Sequence, residues 1–237
     1  PYFVPPAGQA KGYAGEPAMT DDEANAFVEE AFRKGWQIHV HCNGDAAADQ
    51  FIQAVRLATA KHGPGDRRPV MIHAQTVRED QLDAMKELGI IPSFFGMHTY
   101  YWGDWHRDSV LGPERAARIS PAASALKRGM PFTQHHDAPV ALPSSTMVLF
   151  SQVNRVTRSG QVLGPEQRVS AMDAIKSITI HAAYQYFEEK TKGSLELSEE
   201  DWRGVMNTNL DGAWRVAQAG ARAMIAAGKG GSIINIA

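Results

Sequence analysis

Residues Trp36 to Asp45 read WQIHVHCNGD, and the rest of the chain is parsed outward from this stretch. Trp36–His41 has the composition of a short buried strand. On such a strand Gln37, His39 and His41 share one face, with the two imidazoles ~6–7 Å apart. The strand stops at Cys42-Asn43-Gly44-Asp45, a polar turn that opens a helix. A ligand-type side chain at the C-terminal end of a strand, just before a βα loop, is where barrel enzymes keep their chemistry. Val70-Met71-Ile72-His73 and Pro131-Phe132-Thr133-Gln134-His135-His136-Asp137 repeat that placement.

Around these three strand ends, strand and helix alternate. Residues 1–19 are rich in Pro and Gly and read as an extended loop. Thr20-Asp21-Asp22-Glu23 is a capping box, with Thr20 as N-cap and Glu23 at N3. The helix it opens gathers Ala24, Phe27, Val28, Ala31 and Phe32 on one side and stops at Gly35. Further helices are expected over 46–62, ended by Gly63-Pro64-Gly65, and over 78–88, ended by Gly89. A strand over 90–95 follows, and Met97–Arg107, MHTYYWGDWHR, reads as an aromatic loop. Pro113–Arg128 is largely helical with a break at Pro121, and Gly129 leads into the strand ending near Asp137. A loop holding Pro139 and Pro143 precedes helices near 146–156 and 171–190. The pattern predicts βα units and a parallel sheet, four units in all, which is half of an eight-stranded barrel.

Composition bounds the function. At 237 residues and 43% hydrophobic, the chain is long enough to bury a core as one or two domains. The net charge of −2, with both signs interspersed, argues against nucleic acid or an anionic membrane as partner. A single cysteine excludes an internal disulfide and fits a reducing compartment. No apolar run approaches the ~18–20 residues that span a bilayer, and no signal peptide heads the chain, so the cytoplasm is the expected location. The first residue is proline and the last six, Ser232–Ala237, read as a strand; both ends have the character of interior sequence.

His41 and His73 lie 32 residues apart, one βα unit, and His73 and Asp137 lie 64 apart, about two. With that spacing, HVHCNGDAA, VMIHAQ, the HTYYWGDWH loop and HHDAPV resemble strands five, six, seven and eight of the metal-dependent amidohydrolase superfamily. The branch most similar is that of N-substituted formamide deformylase. TIHAAYQYFEEKTKGSLE resembles the family's last barrel helix and the start of its return to a small β domain, so the resemblance covers residues 1–196. It implies the C-terminal half of a TIM-type (β/α)8 barrel. His41 and His73 would be metal ligands, and Asp137 both a ligand and the general base. The implied activity is hydrolysis of non-peptide carbon–nitrogen bonds, of amide or formamide type, in a small-molecule substrate. Neutral imidazoles and a carboxylate suit one or two divalent metals, zinc foremost. His98, Trp102 and His106 would line the substrate pocket, and Asp45 would hold a histidine's tautomer.

The same resemblance places the superfamily's first-strand His-x-His and its strand-four lysine upstream of Pro1, leaving about half of the metal site in this chain. His39-x-His41 does not stand in for the missing pair, because the residues after His41 match the strand-five turn. Other residues have plainer readings. His39 reads as a packing residue, His135 and His136 as parts of a solvated loop, and Cys42 as a small buried filler. Tyr100, Tyr101, Trp102 and Trp105 suit either the cap of a core or the grip on a ligand.

Beyond residue 196 the character changes. Ser198-Glu199-Glu200-Asp201 signals a helix start, Gly228-Lys229-Gly230-Gly231 a stop, and Ser232–Ile236 a strand. LSEEDWRGVMNTNLDGAWRVAQAGARAMIAAGKGGSIINIA resembles the middle of a short-chain dehydrogenase/reductase, a Rossmann-like helix–strand fragment over 197–237. Asn209 would be that family's relay asparagine. No Gly-rich dinucleotide fingerprint follows a first strand, so NAD(P) binding is not expected. Tyr186-Phe187-Glu188-Glu189-Lys190 spells the reductase Tyr-x-x-x-Lys, but it precedes Asn209 and reads as coincidence. The alternatives to a hydrolase are therefore an oxidoreductase fragment or a non-catalytic chimera joined near Glu196.

Overall fold

The computed structural model describes residues 1–194, 203 and 212–228. The chain divides into two compact units, Pro1–Gly193 and Ser194–Ala237. The first is an α/β unit built on four parallel strands in sequential order: β1 (His39–Cys42), β2 (Val70–His73), β3 (Ile91–Phe94) and β4 (Thr133–Gln134). Parallel neighbours need a crossover, and helices supply it. Helix α1 (Asp21–Lys34) precedes β1, α2 (Asp45–His62) joins β1 to β2, and α3 (Glu79–Leu88) joins β2 to β3.

The start and stop signals of α1 are met in full. Thr20 Oγ1 accepts from the Glu23 N–H, the Glu23 carboxylate accepts from the Thr20 N–H at 2.8 Å, and Gly35 ends the helix at φ 69°. That left-handed φ is the reason a glycine stands there. Ala24, Val28, Ala31 and Phe32 are buried, whereas Phe27 is exposed, which narrows the apolar face expected from the sequence. Phe51, Ile52 and Val55 of α2 and Leu82 and Met85 of α3 join Cys42, Met71 and Phe94 of the strands in one core. Truncating a fully buried phenylalanine such as Phe94 costs ~3–5 kcal/mol.

Two expectations about elements are corrected. The first strand is four residues, His39–Cys42, with Trp36 exposed beneath the Lys34 ammonium. His39 and His41 are exposed because they share the open face of β1, whereas Cys42 on the other face is buried. The aromatic segment after β3 is helical, not a loop: α4 (His98–Trp105) runs into a wider π turn over His106–Val110. Beyond it come α5 (Pro113–Ala117), α6 (Ala122–Lys127), α7 (Ser145–Asn154), α8 (Ala171–Ile178) and α9 (Ile180–Gln185). In the second unit a helix α10 spans Gly212–Ala226; Asn209, the Glu196 junction and the expected strand over 232–236 lie outside the described residues. Among the described residues no helix is long and apolar enough to cross a membrane.

Candidate metal centre

The sheet register aligns Cys42, His73, Phe94 and Gln134 as one row at the C-terminal ends of the four strands. Cys42 and Phe94 of that row point into the core beneath the helices. On a regular strand His73 would follow them there. It does not, because its backbone takes φ 69°, and the imidazole turns to the opposite face. On that face its ring meets His41 edge-on at 4.5 Å between centroids and His135 at 4.9 Å. Ala74 (φ 45°) and Asp137 (φ 57°) also occupy the left-handed region. Each such residue costs on the order of 1–3 kcal/mol, and strain of this kind collects where geometry serves a site.

His73, His135 and Asp137 offer donor atoms all within 4.8 Å of one another. His135 Nε2 is 3.3 Å from His73 Nδ1, and His73 Nε2 is 3.9 Å from an Asp137 oxygen. Ser93 Oγ, one residue before Phe94 on β3, touches His135 Nδ1 at 3.1 Å and orients that ring. Burial lowers the His73 pKa, with Asp137 opposing and His41 adding to the effect, and burial pushes His135 down to about 4. Both rings are therefore neutral near pH 7, the form that binds a metal. Two neutral imidazoles and a carboxylate converging on one point fit a divalent cation by donor chemistry.

The sequence-derived residues divide in an informative way. His73 and Asp137 stand in the tight group, and His41 lies against His73 with its Nε2 3.4 Å from Asn43 Nδ2. His135 belongs to the group although its sequence context reads as loop; the signal for it is the position right after β4, where its N–H still bonds the Phe94 carbonyl. His98 packs against Phe95 and lies 5.8 Å from His73 between ring centroids, and burial takes its pKa down to about 2. Trp102 packs on Phe95 and Met97. His106 is buried and its Nε2 contacts Gln75 Nε2 at 2.9 Å. Asp45 faces Arg78 at 3.7 Å and not a histidine. Cys42 has its thiol pushed up to about 12 by burial, so it is a protonated filler, and His39 stacks on Tyr186.

A cavity of 460 Å³ is lined in part by Asn43, Gln75, Arg78, His106, Arg115 and Arg118, and by none of His41, His73, His135 and Asp137. His98 and Trp102 are not among its lining residues.

A parallel α/β sheet whose strand ends gather histidines and an aspartate defines a class, and the comparisons identify it. The chain belongs to the amidohydrolase family, whose model matches residues 2–198. It is 28% identical over 196 residues to Protein LONG AFTER FAR-RED 3 of Arabidopsis thaliana, covering 81% of this chain and 33% of that one. It is 23% identical over 190 residues to N-substituted formamide deformylase of Arthrobacter pascens, covering 78% and 34%. The chain thus spans about a third of the length of these relatives. An uncharacterized metal-dependent hydrolase from Pyrococcus furiosus shares its fold with a TM-score of 0.64 at 28% identity, over 78% of this chain and 36% of that structure. A stretch of 48 residues is 48% identical to 2-dehydro-3-deoxy-D-gluconate 5-dehydrogenase of Escherichia coli, covering 20% of this chain and 19% of that enzyme.

Proposed function

We propose that residues 1–196 are strands five to eight of a (β/α)8 amidohydrolase barrel and serve the hydrolysis of amide- or formamide-type carbon–nitrogen bonds. The observation that carries this reading is the convergence of His73, His135 and Asp137 donor atoms within 4.8 Å at the ends of parallel strands. His73 and Asp137 would hold the metal, with His41 joining them by family position and His135 by proximity. Bound there, zinc would polarise the scissile carbonyl and bring the pKa of water towards ~7. Asp137 takes the proton from the attacking water and delivers it to the leaving nitrogen. Ser93 keeps the His135 ring in place, and the buried Phe95 closes one side of the cluster to solvent.

We assign residues 197–237 to a short-chain dehydrogenase/reductase-like segment joined near Glu196. Its support is the short, high-identity match to dehydrogenases. The assignment carries no expectation of NAD(P) turnover. A cytoplasmic location accords with the single, buried, free Cys42.

The hydrolytic reading is tested by formate release from N-benzylformamide. Zinc-loaded protein is expected to release formate, and chelation or Asp137→Asn is expected to stop it. A zinc-loaded chain that releases none would overturn the hydrolytic reading.

A further inference from the structure

We propose that the 460 Å³ cavity binds the carboxylate-bearing end of an amide substrate, anchored by Arg115 and His106. The inference rests on the hydrolytic reading above and names the substrate class that reading leaves open. The cavity is linked to the candidate centre through Asn43, although none of His41, His73, His135 and Asp137 lines it. Asn43 lines it and touches His41, and Gln75 lines it two residues beyond His73. A substrate with its scissile bond at the histidines would place its remote end here. The volume is within the ~300–1,000 Å³ of small-molecule sites.

Charge selects what that end is. Three guanidiniums line the cavity, Arg78, Arg115 and Arg118, against one carboxylate, Asp45. Arg78 is answered by Asp45, Asp49 and Asp80, and Arg118 by Glu79. The hydrogen bonds of Arg115 go to the main-chain carbonyls of Leu111 and Pro1, so among the described residues no carboxylate balances it. Arg115 is exposed, and a guanidinium with no carboxylate beside it can pair with an incoming anion, a contact among the stronger hydrogen-bonded ones.

His106 supplies an independent pointer. Gln75 Nε2 donates to its Nε2, so the neutral ring carries its hydrogen on Nδ1. That Nδ1 is buried and has no hydrogen-bond partner, in a residue only 8% exposed. A buried donor without an acceptor costs ~1–3 kcal/mol; the residue that carries it lines the cavity, so a ring shift that uncovers Nδ1 would let a ligand's carboxylate or carbonyl oxygen supply the acceptor. Trp105, on the same wall, offers an apolar ring face to the body of such a ligand.

The test compares 4-formamidobenzoate with 4-formamidobenzamide, which differ in charge and little in shape. Binding is measured by calorimetry on the full chain, once zinc-loaded and once after chelation. The carboxylate is expected to bind at least tenfold more tightly than the carboxamide in both forms, which separates the cavity from direct capture by zinc. Arg115→Gln is expected to cut that preference below threefold while leaving carboxamide affinity in place, and Arg115→Lys to retain most of it. His106→Gln is expected to weaken both ligands three- to tenfold. Equal binding of the two ligands by the wild-type chain would overturn the proposal, as would an undiminished preference in Arg115→Gln. The preference in a chain that takes up no zinc would uphold the cavity and overturn the hydrolase reading; zinc uptake without the preference would do the reverse.

Discussion

His135 Nε2 lies 3.3 Å from His73 Nδ1, an approach made by two rings from different strand ends and 62 residues apart. With both imidazoles kept neutral by burial, the pair shares either one proton or one cation. Removing His73 takes away the ring that touches every other member of the cluster. His73→Ala is expected to lower zinc affinity at least 100-fold, whereas His41→Ala and His135→Ala each cost roughly 10–100-fold, on the scale of lost metal-site contacts. Chelator competition measures all three. Unchanged affinity in His73→Ala would exclude His73 from the donor set.

Acid should destabilise the metal-free protein through His106. Burial pushes this histidine down to about 4, so the folded chain takes up its proton far later than the unfolded chain, which does so near ~6.5. The unfolded state therefore binds more protons between those values, and stability rises with pH across them. The contribution is complete above ~6.5 and is lost as pH falls through about 4. Urea unfolding at pH 7 and pH 4.5 is expected to show a loss that His106→Gln reduces by about 1–3 kcal/mol. An identical pH dependence in the variant would refute this.

Arg68 ties α9 and the turn after it to the sheet. Its guanidinium lies 3.8 Å from the Tyr184 ring centroid and 4.1 Å from that of Phe187, pairs with Asp66 and Glu189, and donates to the Tyr184 carbonyl. The Arg68 side chain is 9% exposed, whereas its carboxylate partners Asp66 and Glu189 are 61% and 28% exposed, so the ring contacts are the more shielded part of the set. Arg68→Ala is expected to cost ~2–4 kcal/mol by urea denaturation, with Arg68→Lys intermediate because lysine keeps the charge but not the planar fork. A loss under ~0.5 kcal/mol, the level of an ordinary surface change, would contradict the assignment.

Gly164 has φ 62°, and a Cβ there would stand 1.7 Å from the carbonyl oxygen of Ala117. Neither strain nor clash can relax through a side chain. Gly164→Ala is expected to lose ~3 kcal/mol or more of stability, or to fail to fold. A variant melting within a degree of the parent would show that this backbone approach is not made.

Much of the scaffold was legible in the sequence because its signals are local. Thr20, Glu23 and Gly35 mark one helix completely, and β2 falls where Val70–His73 predicts it. The exposure of Trp36, His39 and His41 was not legible, since Trp36–His41 carries the apolar content of a covered strand. The helix at His98–Trp105 was hidden by Gly103, which reads as a loop residue. In the fold that glycine lets Thr157 and Leu163 pack against the helix, with Thr157 Cγ2 2.8 Å from where a Cβ would stand. The part played by His135 was hidden for a different reason: it depends on the φ of His73 and the hydroxyl of Ser93, both set by tertiary structure.

The central claim is that these strand ends hold a divalent metal, and metal content decides it most directly. The full chain would be purified as one size-exclusion peak from cells grown with zinc and assayed by elemental mass spectrometry beside His73→Ala. About one zinc per wild-type chain is expected, as three converging protein ligands imply, and none in the variant. A wild-type chain free of metal, or a variant that keeps it, would show that these strand ends are not a metal centre.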